Sequence, residues 1–557
     1  MAFERFWHKS YVPGVPYEAD IEKITMAEVL ERNAKRFPSV NTLNFMGKKI
    51  TYREFNSLVN RFANALIGLG VKKGDMVAML LPNIPQMVIA NYATYKIGGV
   101  TVMNNPLYTE RELEYQLNDS DSTTLITLDL LLPRALSLKG KTKIERIITC
   151  HINDFLPFPA KQLFPFVKKD MFRKVEPQAG VYEFTELIKQ YPDSTVKIQA
   201  EWDGLAALVY TGGTTGVSKG VMLTHANCSS NVQQLRYWIH DLEDGKDSLL
   251  YIFPVFHTAG YLCQNFCVWT GLTNVLIPRP EPKALADMIS KYKPTYIGGV
   301  PTIYVGMLKE PKFKNQDVTF IKGFFSGAAP LPVEIIRQLK DATGSTILEI
   351  YGQTETSPVA TVTPWGGKIK VGTVGLPVCN TDIRIVGEDG KDMSIGESGE
   401  ICFRGPQVMK GYYKKPKETA ETIVDGWLHT GDVGVMDEEG YLSIVDRMKD
   451  MIIAGGYNIY PAEIDDVLYK HPKVFEACTI GVPHEYRGET VKCYIVLKPG
   501  ETADAEEIIR HCKDNLGAYK VPKDIEFIDE LPKSAVGKIL RREVRDLDKK
   551  RKGASAA

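Results

Sequence analysis

The sequence lacks any long apolar run and any excess of charge of one sign. The stretch 249–278 is interrupted by Pro254, His257, Gln264 and Asn265, so it does not predict a membrane-spanning helix. Lys plus Arg and Asp plus Glu both number 68, which excludes a global field that attracts nucleic acid. The first residues carry no apolar core of a signal peptide, so we expect no secretory leader.

Paired cysteines are also lacking. The chain has nine cysteines in 557 residues with no C-x-x-C, and only Cys263 and Cys267 are closely spaced. An odd number of cysteines, spread thinly along a long chain, predicts reduced thiols in a cytoplasmic protein. Cys263 and Cys267 could share one helix face as metal ligands, but packing in a core is the favoured interpretation.

The sequence has no Walker A loop, although a related segment stands at residues 210–220, Tyr-Thr-Gly-Gly-Thr-Thr-Gly-Val-Ser-Lys-Gly. It follows an apolar run and precedes residues 221–239, which we interpret as a helix, so we predict a strand-to-helix turn. Glycines let a ligand approach the backbone, hydroxyls donate hydrogen bonds, and Lys219 adds a positive charge. Phosphate binding is favoured over the alternative, a flexible surface loop.

Strands and amphipathic helices alternate through most of the chain, which predicts a doubly wound parallel sheet of the α/β class. Three helices begin with capping-box patterns, at Thr25, Thr51 and Thr109. Glycine-punctuated strands between residues 381 and 445 predict a small barrel or sheet, and a compact α+β set follows. We therefore expect two domains, residues 1–446 and 447–557.

Residues 151–180 break this alternation. They mix aromatic residues and prolines with Lys161, Lys168 and Lys169, as a segment at a membrane surface does. Irregular packing at the protein surface is the alternative and is favoured, so contact between residues 155–172 and a membrane stays open.

The segment Tyr-Gly-Gln-Thr-Glu-Thr at residues 351–356 follows a predicted strand at 347–350. Open α/β sheets bind ligands at the carboxyl ends of their strands. Thr354 can donate a hydrogen bond to a phosphate, and Glu355 offers a hard oxygen ligand suited to Mg²⁺. The alternative is a loop in which Glu355 is merely solvated.

Three charged residues further along the chain also suit nucleotide chemistry. Asp432 could accept hydrogen bonds from both ribose hydroxyls, and Arg447 could reach the ribose or a phosphate. Lys538 follows a glycine turn and could stabilise an anionic transition state. Taken singly, each is more often a solvated surface charge.

Six segments taken together resemble the adenylate-forming superfamily, which includes acyl-CoA synthetases, peptide-synthetase adenylation domains and beetle luciferases. They occur in the family's order at residues 210–220, 326–331, 351–356, 430–432, 446–461 and 532–541. Residues 105–118, 405–411 and 531–542 look closest to bacterial long-chain fatty acyl-CoA synthetases. The resemblance covers essentially the whole chain.

The resemblance implies a large N-terminal domain of doubly wound sheets with a small β-barrel-like part, followed by a mobile α+β domain that carries Lys538. It implies that ATP activates a carboxylate to acyl-AMP, after which the acyl group passes to coenzyme A. Mg²⁺ is the implied cofactor, and ATP, coenzyme A and a medium- to long-chain fatty acid are the implied substrates. No nucleic acid is an expected partner.

The resemblance also assigns the nucleotide site. Lys449 would be the hinge about which the small domain rotates, and Lys538 would bridge the attacking carboxylate and the α-phosphate. Glu355 would hold Mg²⁺, Thr354 would contact the α-phosphate, and Asp432 with Arg447 would fix the ribose. The phosphate cradle would comprise Thr211, Gly212, Gly213, Thr214, Thr215, Gly216 and Lys219, and the adenine slot Gly327, Ala328, Ala329, Tyr351 and Gly352.

For the acyl chain, the resemblance implies a pocket at residues 257–262 and 299–302. His257 would be its gate residue, and Val300 and Thr302 would line it. Gly456 would line a tunnel for the pantetheine arm of coenzyme A. Gln353, Thr356 and the Thr258-Ala259 pair depart from the side chains expected in bacterial long-chain synthetases, which leaves the acyl chain open.

Other functions remain as alternatives. The enzyme could adenylate an aryl, cyclic or short-chain acid, or pass its acyl group to a carrier protein, although no carrier segment follows residue 550. A non-catalytic lipid- or nucleotide-binding protein is a third hypothesis, and the retention of Glu355, Asp432 and Lys538 is evidence against it. The sequence does not determine the oligomeric state, and a homodimer stays open.

Overall fold

A computed structural model describes most of the chain. The residues that it describes are 5–211, 218–278, 280–328, 331, 333–454, 457–484, 488–534 and 537–555.

The strands of the described residues are β1 Asn41–Phe45, β2 Lys48–Thr51, β3 Met76–Leu80, β4 Val100–Met103, β5 Thr124–Leu128, β6 Arg146–Cys150, β7 Val181–Glu183, β8 Leu205–Thr211, β9 Lys219–Thr224, β10 Ser248–Tyr251, β11 Thr273–Leu276, β12 Tyr296–Gly299, β13 Gly323–Ser326, β14 Thr346–Tyr351, β15 Thr361–Val362, β16 Leu376–Pro377, β17 Asp382–Val386, β18 Gly399–Arg404, β19 Gly411–Tyr412, β20 Ile423–Val424, β21 Trp427–Met436, β22 Leu442–Arg447, β23 Ile452–Ala454, β24 Tyr457–Ile459, β25 Val474–His484, β26 Gly488–Leu497 and β27 Asp524–Phe527.

The α-helices are α1 Met26–Arg36, α2 Tyr52–Gly68, α3 Pro85–Lys96, α4 Glu110–Asp119, α5 Leu132–Ser137, α6 Ala160–Val167, α7 Phe184–Gln190, α8 His225–Trp238, α9 Thr258–Thr270, α10 Pro282–Tyr292, α11 Pro301–Lys309, α12 Pro311–Lys314, α13 Val333–Thr343, α14 Pro416–Thr422, α15 Pro461–Tyr469, α16 Ala505–Asn515 and α17 Arg541–Ser555. None of the described helices is both long enough and apolar enough to cross a bilayer.

The chain divides into two compact units. The first comprises Met1–Asp382 and Phe403–Leu428, and the second comprises Ile383–Cys402 and His429–Ala557. The domain boundary predicted between residues 446 and 447 separates a large domain from a mobile small one. It stays a prediction.

The first unit contains a nine-stranded sheet in the order β16-β15-β14-β13-β12-β10-β11-β1-β2. The six strands from β14 to β1 run parallel. Strand β12 lies beside β10 rather than beside β11, so the connections that leave β10 and β12 run to opposite sides. Such a reversal of strand order opens a crevice at the carboxyl ends of the strands.

An eight-stranded sheet, ordered β19-β9-β8-β4-β3-β5-β6-β7, is the second sheet of this unit. Its strands from β8 to β7 are parallel, and β9 and β19 add an antiparallel edge. One face of the sheet packs on α4 and α5 through the fully buried Leu113, Leu125 and Ala135. The predicted capping boxes at Thr25, Thr51 and Thr109 are all formed, and they fix where α1, α2 and α4 begin.

The second unit includes an antiparallel pairing of β21 with β22 and a separate five-stranded sheet. That sheet has the order β24-β23-β26-β25, with β27 beside β26. Its core joins these strands to α15 and α16 through Ile464, Leu468, Ile495 and Ile508, all fully buried. The α+β organisation expected after residue 450 is therefore confirmed.

One local prediction is wrong. Residues 221–239 are not a single helix, because Lys219–Thr224 is strand β9 and the helix begins at His225. The glycine-rich loop therefore joins two antiparallel strands and is not a strand-to-helix turn. Residues 221–224, Val-Met-Leu-Thr, form a strand because they pair with β8. The helix prediction used only the local sequence pattern, which contains no information about this partner strand.

Candidate active site

The carboxyl ends of four adjacent strands, β10, β12, β13 and β14, bring distant segments of the sequence to one edge of the nine-stranded sheet. His257 follows β10, Val300 follows β12, Gly327 follows β13, and Tyr351 ends β14. Because parallel strands all point the same way, these residues lie along one edge although almost 100 residues separate the first from the last.

The turn after β14 is held by threonine hydroxyls. Thr354–Thr356 forms one 3₁₀ turn, and the Thr258 hydroxyl donates to the Thr354 hydroxyl at 2.9 Å, which ties this turn to the start of α9. The Thr356 Oγ1 accepts from the Gln353 amide at 2.9 Å. Gly352 has no room for a side chain, because a Cβ there would lie 1.8 Å from the Pro358 carbonyl oxygen.

Glu355 is half-buried and is oriented by a tyrosine. The Tyr412 hydroxyl donates to Glu355 Oε1 at 2.8 Å, and the Glu355 carbonyl accepts from the Met409 amide at 2.8 Å. Burial, with a further contribution from Glu355, holds the pKa of Tyr412 well above its usual range. The tyrosine therefore remains a donor at neutral pH, and one carboxylate oxygen of Glu355 is fixed by the protein.

Strands β8 and β9 flank the glycine-rich loop. Thr211 and Lys219 are directly opposite in the β8–β9 pair, and the Ser218 hydroxyl donates to the Thr211 carbonyl at 2.8 Å. The Lys219 ammonium lies 4.7 Å from the centre of the Tyr412 ring. The predicted cradle residues Gly212, Gly213, Thr214, Thr215 and Gly216 lie outside the described residues.

Strand β19 connects these two parts of the site. Its pairing with β9 places Tyr412 opposite Val221, two residues from Lys219. Tyr412 therefore contacts Lys219 with its ring and Glu355 with its hydroxyl. A cation at 4.7 Å from an aromatic centre is attracted by the ring face.

The predicted acyl-pocket residues differ in exposure. His257 caps the N-terminus of α9, where its Nδ1 accepts from the Ala259 amide at 3.3 Å. Gly260 is required beside it, since a Cβ would lie 2.2 Å from the Pro254 carbonyl oxygen. Val300 is buried at the start of α11, whereas Thr302 is exposed.

The predicted adenine residues follow β13 and end β14. Ala328 has φ +70°, a left-handed conformation, and a Cβ on Gly327 would lie 3.3 Å from the Ile350 carbonyl oxygen. The Tyr351 and Phe403 rings are 6.1 Å apart. Small residues thus keep the backbone open at this edge, while Ala329 lies outside the described residues.

In the second unit, Asp432 and Arg447 are direct cross-strand partners in the β21–β22 pair. Asp432 is buried, with 4% of its surface exposed. The structure therefore brings together two residues that the sequence could only place 15 positions apart. The side chain of Arg447 lies outside what the structure describes.

Lys538 stands on a tight turn. The Ser534 amide donates to the Lys538 carbonyl at 2.8 Å, and the Lys538 amide donates to the Ser534 hydroxyl at 3.2 Å. Gly537 supports this turn with φ +75°, and the Lys538 side chain is exposed. Lys449 belongs to the 3₁₀ turn Met448–Asp450 but its side chain is not described, and Gly456 also lies outside the described residues.

Sequence reasoning missed Tyr412 and the role of Thr258. Tyr412 directly follows the segment 405–411, whose sequence indicates only the family, and Thr258 stands out only as a departure beside the predicted gate histidine. Neither residue carries a local signal of its contacts, because their partners Glu355 and Thr354 are distant in sequence.

Comparison with known proteins decides the family. The model of the AMP-binding enzyme family matches residues 30–413, and that of the AMP-binding enzyme C-terminal domain matches residues 463–538. This chain belongs to the AMP-binding enzyme family. The resemblance to adenylate-forming enzymes is thereby confirmed.

Relatives of this AMP-binding enzyme match it almost from end to end. A long-chain-fatty-acid–CoA ligase of Bacillus subtilis (strain 168) is 43% identical over 548 residues, which are 97% of this chain and 98% of the relative. A protein of the same name from Escherichia coli O157:H7 is 38% identical over 553 residues, 98% of each chain.

Solved structures confirm the predicted fold class. The anthranilate CoA ligase AuaEII in complex with anthranoyl-AMP matches this AMP-binding enzyme with a TM-score of 0.85 and 28% identity, covering 97% of this chain and 99% of its own. ATP-bound MatB from Rhodopseudomonas palustris matches with a TM-score of 0.83 and 29% identity, covering 94% and 99%.

Proposed function

We propose that this enzyme is an ATP-dependent, AMP-forming acyl-CoA ligase. A carboxylate oxygen attacks the α-phosphorus of ATP, the bond to pyrophosphate breaks, and acyl-AMP forms. The thiol of coenzyme A then attacks the acyl carbon, AMP leaves, and the thiol proton is released. The observation that carries the proposal is the meeting of Glu355, Tyr412 and Lys219 beside the glycine-rich loop.

The first step needs positive charge and hydrogen-bond donors around the phosphates. Lys219 supplies a cation at the end of the loop, and the Thr354 hydroxyl supplies a donor for the α-phosphate. Glu355 fits Mg²⁺, since it offers a hard carboxylate oxygen while its Oε1 is held by Tyr412. When bound, Mg²⁺ would neutralise charge on the phosphate oxygens.

We assign the ribose to Asp432 and Arg447, and the attacking carboxylate to Lys538. The cross-strand pairing of Asp432 with Arg447 supports a joint role at one ligand. An exposed lysine on a tight turn can reach two anions and hold them together against their repulsion. We infer that the small domain turns near Lys449 between the two steps, which withdraws Lys538 for thioester formation.

We propose long-chain fatty acids as the substrates. The relatives at 43% and 38% identity carry this substrate class in their names. His257 and Val300 lie at the point where the strand order of the nine-stranded sheet reverses, which is the expected place for a ligand crevice. An aryl acid is the second candidate, because the matching AuaEII structure is an anthranilate ligase.

An assay of AMP formation tests both candidates. We expect AMP release that depends on ATP, coenzyme A and a fatty acid, rising with chain length across a panel from short to long acids. Turnover of anthranilate or benzoate in preference to every fatty acid would contradict the substrate class alone. Pyrophosphate release without consumption of coenzyme A would contradict the acyl-CoA ligase assignment, because it indicates another acyl acceptor.

We further propose that α6 contacts an anionic membrane surface, from which a long-chain fatty acid could be taken. No residue of this helix is buried, and Leu163, Phe166 and Val167 form an exposed stripe at positions i, i+3 and i+4. Phe158 just before the helix is 83% exposed. The basic residues in this helix and shortly after it are Lys161, Lys168, Lys169, Arg173 and Lys174.

Apolar side chains with neighbouring lysines suit the interface of a bilayer with anionic lipid. Phe166→Ser combined with Val167→Ser should weaken co-sedimentation with phosphatidylglycerol-containing vesicles at least about tenfold, since each lost side chain forfeits on the order of 1 kcal/mol of burial. Ile67→Ser, at an exposed apolar residue of α2, is the matched control. Equal binding by both variants would contradict the contact.

A further inference from the structure

Glu400, in β18, contacts the part of strand β21 that leads to Asp432. Its Oε1 accepts from the Gly431 amide at 2.9 Å, and its Oε2 lies 2.7 Å from His429 Nδ1. An ionised carboxylate only accepts hydrogen bonds, so the Nδ1 proton of His429 is the donor. One carboxylate thus contacts two of the three residues that precede Asp432.

The neighbouring residue completes the arrangement. The Thr430 hydroxyl donates to the Ile401 carbonyl at 2.7 Å and accepts from the Asp432 amide at 3.1 Å. Gly431 has φ +69°, a conformation that a glycine does not hold by itself because it also populates many others. The bonds from β18 therefore help to hold β21 in this conformation at Gly431.

Glu400, Cys402 and His429 also form the only group of three metal-ligating side chains among the described residues. The geometry favours a hydrogen bond over a metal. Bonds of about 2.0–2.1 Å to a tetrahedral zinc ion would put its nitrogen and oxygen ligands roughly 3.3 Å apart. The observed separation of 2.7 Å is that of a charge-assisted hydrogen bond.

Burial raises the pKa of the Cys402 thiol to about 12, so the thiol beside His429 stays neutral. Its Sγ lies 3.4 Å from His429 Nδ1. Glu400 consequently supplies the negative charge that orients the imidazole.

We propose that Glu400 is a positioning residue for the adenylation step. It fixes residues 429–432 of β21 so that the Asp432 carboxylate is pre-oriented for the ribose hydroxyls, an inference that rests on the proposed role of Asp432. Loss of Glu400 leaves the Gly431 and His429 donors without this acceptor, and residues 429–431 then sample other conformations. The effect falls on recognition of the nucleotide and leaves the fatty-acid and coenzyme A sites unchanged.

The test compares Glu400→Ala, Glu400→Gln and Asp432→Ala in the full chain, with ATP and with 2′-deoxy-ATP. We expect Glu400→Ala to raise KM for ATP roughly tenfold, the equivalent of one lost charged hydrogen bond, with kcat and the other KM values little changed. The preference for ATP over 2′-deoxy-ATP should shrink in the same variant. Glu400→Gln keeps an acceptor oxygen for the Gly431 amide. It should therefore recover part of the affinity for ATP and part of the preference for ATP over 2′-deoxy-ATP.

Glu397→Ala is the matched control, since its exposed carboxylate also accepts a backbone amide hydrogen bond, from Ser394 at 3.0 Å. If Asp432→Ala removes the preference for ATP but Glu400→Ala does not, the positioning role is wrong. If Asp432→Ala itself leaves the preference intact, the ribose assignment fails instead. A cobalt–thiolate absorption band that Cys402→Ser abolishes would also overturn the proposal, because Glu400 would then be a metal ligand.

Discussion

Replacing Tyr412 by phenylalanine removes one atom from the candidate active site. The lost hydroxyl donates to Glu355 Oε1 at 2.8 Å, while the ring that faces Lys219 at 4.7 Å is kept. The variant therefore separates the orientation of the carboxylate from the contact with the lysine.

The magnitude follows from the burial of Glu355. A hydrogen bond to a charged group contributes about 1.5–3 kcal/mol when its loss leaves the partner unsatisfied. Glu355 is only half-buried, so water can replace the hydroxyl and the net loss should be about 1 kcal/mol. That loss corresponds to roughly fivefold weaker binding of Mg²⁺, since 1.4 kcal/mol is tenfold.

The assay is fatty-acid-dependent pyrophosphate release without coenzyme A, titrated with Mg²⁺ at fixed ATP. We expect the midpoint of the Mg²⁺ titration to rise roughly fivefold in Tyr412→Phe, with the rate at saturating Mg²⁺ preserved. Tyr413→Phe is the matched control, because the Tyr413 hydroxyl lies 3.5 Å from Asp121 rather than at Glu355. An unchanged or lower midpoint would refute the reasoning, since the hydroxyl would then compete with the metal.

Two further predictions concern catalysis and stability. Lys538→Ala should suppress acyl-AMP formation at least about a hundredfold more than it suppresses thioester formation from supplied acyl-AMP. A factor of this order is the usual cost of removing one contact to a transition state. Equal losses in the two half-reactions would contradict the role of Lys538. Burial lowers the pKa of His225 to about 4, and within the described residues neither ring nitrogen has a hydrogen-bond partner. Because the unfolded chain binds this proton more tightly, stability is present above pH 6.5 and is lost as the pH falls toward 4. The free energy of unfolding should drop by about 2 kcal/mol from this group between pH 7 and pH 5. Denaturant titrations should show a smaller drop for His225→Leu than for the wild type, and an equal drop would refute the assignment.

Much of the candidate site was predictable because its residues stand in short, ordered motifs. The pattern of residues 351–356 predicts Thr354 and Glu355 as site residues, which stays a prediction, and the alternation of strands and helices identified the doubly wound fold. The helical reading of residues 221–239 failed, because pairing with β8 makes Lys219–Thr224 a strand. Local periodicity carries no information about a partner strand.

The sequence by itself determined the family and the order of the chemical groups, since motifs and capping boxes depend on residues close together in the chain. Only the tertiary structure decided that β12 lies beside β10, the kind of reversal of strand order at which α/β sheets bind ligands, and His257 and Val300 follow these two strands. It also decided that Tyr412 reaches Glu355 across 57 positions. Strand order and such contacts arise from packing and hydrogen bonding between distant segments, and no local pattern encodes which segments will meet.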